Sequence, residues 1–333
     1  MSIALDAMGG DHAPDEIVAG AILAAPELRI PLILVGDPEA IAKAAGGPLP
    51  KNITVRAASQ TVGMEEKPTE AYRKKKDSSL MVAARMVKEG AAAALVSAGN
   101  TGAASAFSLL IWRQLPGVHK PAIASRLPNA HGGFVLLDAG ASPDADPEDL
   151  VEFAHMGRAY AEKIMGRPNP RVHLLNIGEE PGKGNAHAKQ TFKLLSAYPW
   201  FAGNIEGKDI FRSPCDVVVC DAFVGNVVLK TGEGVAELIA DTIRSGVPTN
   251  PLLKWLYWPV RKVTAPLRKS MDYAEAGGAP LLGLNGLCVI CHGRSSAKAI
   301  KNALLMTQTA IESGLVDAIA SAIRPGAREE VAS

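Results

Sequence analysis

Aromatic side chains make up only 5% of this 333-residue chain, so its core must be built mainly from Ala, Val, Leu and Ile. Cysteine is also sparse: Cys215, Cys220, Cys288 and Cys291 are the only four. Cys288 and Cys291 have CxxC spacing, but they lie in an apolar run that starts at Leu287, and Cys215 and Cys220 bracket a Val-rich run. That setting predicts reduced, buried thiols and speaks against a zinc or redox centre. No charge excess exists, since 35 Lys and Arg face 34 Asp and Glu, and a net charge of +1 gives no global pull toward nucleic acid. The chain lacks the roughly 18 consecutive apolar residues of a membrane-spanning helix. Met1–Pro14 lacks a basic n-region and a cleavable apolar stretch, so a cytoplasmic location is expected.

Several catalytic signatures are missing as well. Gly182-Lys-Gly-Asn-Ala-His187 fails the last position of GxGxxG, which weakens dinucleotide binding. GxxxxGK[ST] and HExxH are absent, and neither Gly102–Ser105 nor Gly293–Ser295 forms a GxSxG elbow. Nothing marks an enzyme-borne nucleophile.

What the chain has is a recurring unit: a short aliphatic run, a Gly-rich polar turn, then a helical pattern. The runs are Ser2–Leu5, Leu32–Val35, Ala94–Val96, Phe134–Leu137, Val172–Leu175, Val217–Cys220 and Leu287–Ile290. Several show no polar alternation, as in parallel strands covered on both faces. Ser79–Glu89 has apolar residues at helical spacing with Ser78 or Ser79 as N-cap, Asp146-Pro147 opens a second helix, and Val235–Ile243 offers a third. The alternation predicts an α/β fold, a three-layer α/β/α arrangement around a mostly parallel, doubly wound, Rossmann-like sheet. No linker divides the chain, so residues 1–333 read as a single domain.

In such sheets ligands bind outside the carboxyl ends of the strands. The segments there are Asp6–His12, Ser97–Gly102, Asp138–Gly140, Asn176–Asn185, Asp221–Asn226 and His292–Ser296, all rich in Gly, Asn or Asp. Glycine lets backbone N–H groups approach an anion, helix N-termini favour negative charge, and Lys183 and Arg294 add cations. An oxyanion or phosphate site follows. The plainer reading is that the aspartates cap helices or tie loops and the glycines only permit turns.

These stretches resemble the bacterial phosphate acyltransferases of phospholipid synthesis. The likeness is carried by LDAMGGDHAP at Leu5–Pro14, SAGNTGA at Ser97–Ala103, LLDAGA at Leu136–Ala141, LLNIGEEPGKGN at Leu174–Asn185, GNIEGKDI at Gly203–Ile210, DVVVCDAFVGNVVLK at Asp216–Lys230 and GGAPLLGLNGLCVICHGRS at Gly277–Ser295. Ala222 departs from it, because the family usually has glycine there. The resemblance implies a homodimer, no metal or nucleotide cofactor, and transfer of a fatty acyl group from acyl carrier protein to inorganic phosphate, with coenzyme A thioesters as a second donor. It also implies a membrane glycerol-phosphate acyltransferase as the user of the product.

Direct attack by phosphate on a thioester needs no protein nucleophile. On that reading Gly182, Lys183, Gly184 and Arg294 bind phosphate, with Gly9, Gly10, Gly99 and His292 also on the substrate side. Asn100, Asn185 and Asn226 are candidate donors to the carbonyl or oxyanion, while Asp6, His12 and Asp221 orient groups or manage a proton.

Two surface features complete the reading. Arg73, Lys74, Lys75 and Lys76 could dock the acidic carrier protein, although such runs are usually only solvated. The acid-free segment at about 246–272 interleaves Leu253, Trp255, Leu256 and Trp258 with cations that include Arg261 and Lys262, a pattern suited to a membrane interface. A subunit contact or a helix on the sheet is the alternative. The rival functions are an NAD-dependent decarboxylating hydroxy-acid dehydrogenase, which would need a nucleotide and usually a divalent metal, and a non-catalytic carrier-protein binding module.

Overall fold

Strands β1 (Ile3–Asp6), β4 (Ala94–Ser97), β7 (Phe134–Leu137) and β12 (Leu287–Ile290) are buried at every residue, which explains their lack of polar alternation. The protein is seen here as a computed structural model that describes residues 1–245 and 277–323. The basic, Trp-bearing segment with Leu253, Trp255, Leu256, Trp258, Arg261 and Lys262 lies outside the described residues.

The α/β architecture is as expected, but the strands fall into two sheets instead of one. The first adds β2 (Leu32–Gly36), β3 (Ile53–Ala57), β5 (Ala122–Ile123) and β11 (Ala279–Leu282), in the order β3-β2-β1-β4-β12-β11-β5. Its strands from β3 to β12 are parallel, whereas β11 runs antiparallel to both β12 and β5. The second sheet has the order β6-β7-β10-β8-β9, with β6 (Ser125–Leu127), β8 (Val172–Asn176), β9 (Phe201–Glu206) and β10 (Val217–Val219). Only β6 is antiparallel there. The chain enters the second sheet from β5 to β6 and returns to the first for β11 and β12.

Both faces of the first sheet are covered. Ile3, Leu5, Leu32 and Leu34 share a core with α1 (Asp15–Ala24) and α9 (Ala297–Glu312), while Ala4, Val35 and Leu95 share another with α4 (Ser79–Lys88) and α5 (Thr101–Trp112). Two shorter helices, α2 (Pro38–Ala45) and α3 (Pro68–Lys74), flank them. On the second sheet, Val135, Leu137, Val217 and Val219 face α6 (Pro147–Lys163), and α7 (Ala186–Leu195) packs beside it. The opposite face gathers Phe134, Leu136, Val218 and Ile210 beneath α8 (Ala222–Ser245), whose Val228 packs on them. The last helix, α10 (Leu315–Ile323), packs on α6 and so ties the carboxyl-terminal part to the second sheet.

Local chemistry sets the helix starts. Ser78 Oγ accepts the Met81 N–H at 3.3 Å and opens α4, as the spacing predicts. Pro147 begins α6, and the Asp149 carboxylate accepts the Asp146 N–H at 2.7 Å. The helix expected at Val235–Ile243 is longer: α8 begins directly after Asp221 and runs through three glycines, because Asp221 Oδ1 caps the Val224 N–H at 2.9 Å. Gly225 is needed there, since a Cβ would lie 1.8 Å from the Asp138 carbonyl oxygen. Ala222 is buried in the first helical turn, where alanine is a better helix former than the glycine it replaces. All four cysteines are reduced and buried, as expected.

Candidate active site at the carboxyl rims of the two sheets

The rim of the first sheet is built around a buried carboxylate. Asp6 ends β1 at 2% exposure; its Oδ2 accepts the Ser97 hydroxyl at 2.7 Å, and its Oδ1 accepts the Met8 N–H at 3.3 Å. Ser97 in turn accepts the Gly99 N–H at 3.1 Å. Burial raises the Asp6 pKa, and bonds from Ser79, Ser97, Met8 and Gly9 oppose that rise. The β1 and β4 loops touch backbone to backbone, because a Cβ on Gly9 would sit 2.5 Å from Asp6 Oδ2 and 2.9 Å from the Gly99 nitrogen. Gly10 lies against the carbonyls of Ala98 and Gly293, and the Asp11 N–H donates to the Gly293 carbonyl at 2.8 Å. The β1, β4 and β12 loops are thus one welded unit.

Around that unit, His12, His292 and Arg294 are exposed, and the Arg294 N–H donates to His292 Nδ1 at 3.1 Å. Asn100 is differently employed from the expectation. Its Oδ1 caps α5 through the Ala103 N–H at 2.9 Å. Its NH2 donates to the carbonyls of Gly63, Met64 and Glu66 at 3.3, 2.8 and 2.9 Å. As placed, its donors secure the 63–66 loop and are not offered to a substrate.

The second rim has its own buried carboxylate, Asp138, which ties loops together as the plainer reading of the aspartates expects. Asp138 collects N–H groups from Ile123 (2.9 Å), Gly140 (2.9 Å), Ala141 (3.0 Å) and Ser142 (2.7 Å), and burial raises its pKa. The Ile123 bond reaches across from the first sheet. Ala139 and Ala141 also join the core that holds Ala4 and Leu95, so the two rims share an apolar floor. The loop before α7 is more open: Gly182, Lys183 and Asn185 are exposed. Asn185 Oδ1 caps α7 through the Ala188 N–H at 2.8 Å. Lys183 Nζ is 4.0 Å from Glu180, and Gly184 lies against the Asn176 amide. Asn176 Nδ2 donates to the Lys183 carbonyl at 3.2 Å, and Asn204 Nδ2 to that of Glu180 at 2.9 Å. Asn204 lies in the GNIEGKDI stretch, inside β9, and is not among the expected site residues. His187 at the start of α7 is 2.8 Å from the Ala145 carbonyl, which joins this loop to the Asp138 segment. Asp221 caps α8, and Asn226 is exposed one turn further on.

The rims therefore present the N-terminal ends of α5, α7 and α8, backbone N–H groups at glycines, and the cations Lys183 and Arg294, a combination suited to an anion. No cysteine is a ready nucleophile: burial pushes Cys215 up to about 11, Cys288 and Cys291 up to about 12, and Cys220 well above its ordinary value. Among the described residues, His119, Asp149 and Glu152 are close enough to share a cation. Lys120 Nζ already lies 2.9 Å from Asp149, and His119 Nδ1 lies 2.6 Å from Glu152. The cluster carries its own positive charge.

The basic run spans the end of α3 and the two residues after it, and most of it is engaged with neighbours. Lys74 pairs with Glu70 at 3.1 Å, Lys75 with Glu66 at 2.6 Å, and Lys76 lies 4.4 Å over the Tyr72 ring, while Arg73 is exposed. Among the described residues no helix is long and apolar enough to cross a membrane.

A family model described as "Fatty acid synthesis protein" matches residues 1–317. The phosphate acyltransferase of Heliobacterium modesticaldum is 50% identical over 335 aligned positions, covering 99% of this chain and 100% of its own. That of Geobacter sulfurreducens is 45% identical, covering 95% and 92%. Among solved structures, a phosphotransacetylase from Streptococcus pyogenes superposes with a TM-score of 0.62 at 16% identity, over 94% of both chains. The 4-hydroxythreonine-4-phosphate dehydrogenase of Klebsiella pneumoniae does so with 0.54 at 12%, over 93% of this chain and 98% of that one. At such identities the structural likenesses establish the fold alone. Sequence identity near one half along the full length of both chains establishes more: the protein belongs to the phosphate acyltransferase family.

Proposed function

We propose that the protein transfers a fatty acyl group from acyl carrier protein to inorganic phosphate, releasing acyl phosphate. The observation that carries this reading is the full-length 50% identity to a phosphate acyltransferase. The rim chemistry supports it. A phosphate oxygen attacks the thioester carbonyl carbon, a C–O bond forms, and the C–S bond breaks. The carrier's thiolate leaves and takes a proton from solvent. Phosphate is held by Lys183, Arg294 and the Gly182–Asn185 backbone, while N–H groups at Gly9, Gly10 and Gly99 or the Asn185 and Asn226 amides meet the oxyanion. Asp6 and Asp138 act beneath the surface by fixing the loops. His12, His292 and Asp221 line the same rims. No protein nucleophile, metal or nucleotide enters the step.

Arg73, with Lys76 beside it, offers the carrier protein a cationic approach. Phe223 and Leu238 are exposed along α8, away from the cavity lining, and favour a homodimer or a membrane surface over an isolated chain. The dehydrogenase reading shares the fold but finds no complete dinucleotide loop at the rim.

The test is to incubate the protein with hexadecanoyl-acyl carrier protein and trap acyl phosphate with hydroxylamine. Hydroxamate that forms only with phosphate supports the proposal. Stoichiometric thioester binding without turnover would favour the binding module, and nucleotide reduction by hydroxy acids would favour the dehydrogenase.

A further inference from the structure

A cavity of about 690 Å³ opens beneath α8, on the face of the second sheet away from α6. That volume is within the usual range for small-molecule sites, roughly 300–1,000 Å³. Its walls come from distant parts of the chain: Leu127 from the β6 end, Ile210 and Phe211 from the β9–β10 connection, and Val228, Leu229 and Val235 from α8. Phe211 is steadied edge-on by Phe134, with ring centres 6.1 Å apart.

Three polar side chains lie on these walls, Asn129, Thr231 and Glu233, and two of them are already engaged. The Asn129 NH2 donates to the carbonyls of Ser213 and Cys215, and its Oδ1 accepts from the N–H groups of His131 and Gly133. Glu233 is paired with Lys230 at 2.7 Å. A ligand here must therefore be apolar, since the walls leave little to bond a polar one.

The placement supplies the rest. α8 starts at the rim, directly after Asp221, and a helix rises about 1.5 Å per residue. Val228 is thus about 9 Å and Val235 about 20 Å along the helix from the rim. A ligand with its reacting group at Asp221 and Asn226 and a long tail would run into the cavity. We infer that this cavity is the acyl-chain site of the donor, a saturated chain lying along α8 with its thioester at the rim. The inference rests on the acyl-transfer reading and adds the physical basis of chain-length selection.

Gly232 gives a clean test. It lies on the cavity wall in a helix, and a Cβ there meets only the Phe211 ring edge at 3.8 Å. Gly232→Leu narrows the cavity without backbone strain. Gly234, where a Cβ meets nothing within 4 Å, makes the control Gly234→Leu with the same gain in helix propensity. Each methylene displaced from an apolar site costs about fourfold in affinity. The C16 to C8 ratio of KM for acyl-acyl carrier protein should therefore rise at least tenfold in Gly232→Leu and stay native in Gly234→Leu. An unchanged ratio in Gly232→Leu, or an equal rise in both variants, would overturn the inference. If the native protein turns over neither donor, the acyl-transfer reading falls, and a diazirine-bearing hexadecanoic acid still decides the cavity. Cross-links at Phe211 or between Val228 and Ala236 uphold it, and cross-links only elsewhere refute it.

Discussion

The two rims are built in opposite ways. At the first sheet, Asp6 is 2% exposed and Gly9 touches Gly99, so a shift of one loop must move the other. At the second sheet, the segment from Asn176 to Asn185 stands in solvent, with Ile177 82% exposed, tied down mainly by two amide side chains. The difference separates two tasks. A reaction that depends on positioning needs one wall that does not move, and an anion that must enter and leave needs charged groups on a wall that can.

The largest test of this contrast is at the junction of the rims. Gly225→Val forces a Cβ into the Asp138 carbonyl, so α8 must separate from the Asp138 loop. We expect a loss of about 3 kcal/mol, seen by calorimetry as a lower Tm. A native Tm would mean that α8 is not seated there.

Asp6 comes next. Removing it by Asp6→Ala strands the Ser97 hydroxyl and the Met8 N–H, with an expected cost of about 2 kcal/mol. Its pH dependence has a definite sign. Because burial raises the folded pKa above 3.8, the folded protein keeps a proton that the unfolded chain has released between those two values. The carboxyl therefore contributes less stability as pH rises through that window. Asp6→Asn removes this part, so urea unfolding followed upward from pH 4 should show the native protein losing ground to the variant as pH rises through the folded pKa. A difference that is constant with pH would contradict a raised pKa.

On the open rim the effects should fall on function. Lys183→Ala should raise the phosphate KM about tenfold, with the Tm and the acyl-donor KM near native, as expected for losing one charged hydrogen bond in a half-exposed site. A phosphate KM that does not move removes Lys183 from the anion site. The smallest effect is expected at α3: Arg73→Glu with Lys76→Glu should raise the carrier-protein KM about threefold at low salt and hardly at all at high salt. Salt-independent weakening would argue against electrostatic docking there.

The parts legible in the sequence were those where one local pattern decides the outcome. Buried parallel strands such as Phe134–Leu137 and Leu287–Ile290 stand out because both faces are covered. Ser78 and Asp146 mark helix starts by their own chemistry. Strands interrupted by polar residues or proline escape the pattern: the edge strand Ile53–Ala57 carries Thr54 and Arg56 on exposed positions, and β11, which lies between β12 and β5, contains a proline. The division into two sheets was invisible, since strand partners are set by long-range packing. At the site, the loops were found, but roles within them depend on neighbours far away in sequence. Asn100 reads as a donor to substrate and instead clamps residues 63–66, and Asp138 ties its turn as expected, but to Ile123 of the other sheet, a partner that no local pattern names. The cavity under α8 could not be read at all, because Leu127, Phe211 and Gly232 meet only in the folded chain.

The central claim is direct transfer to phosphate without an acylated protein. Its most direct test mixes the protein with hexadecanoyl-acyl carrier protein, with and without phosphate, and follows both thioester loss and the intact mass of the protein. The account predicts a stable thioester and an unchanged mass without phosphate, and with phosphate a hydroxylamine-trappable acyl phosphate. Thioester loss without phosphate, or a protein heavier by one acyl group, would contradict it.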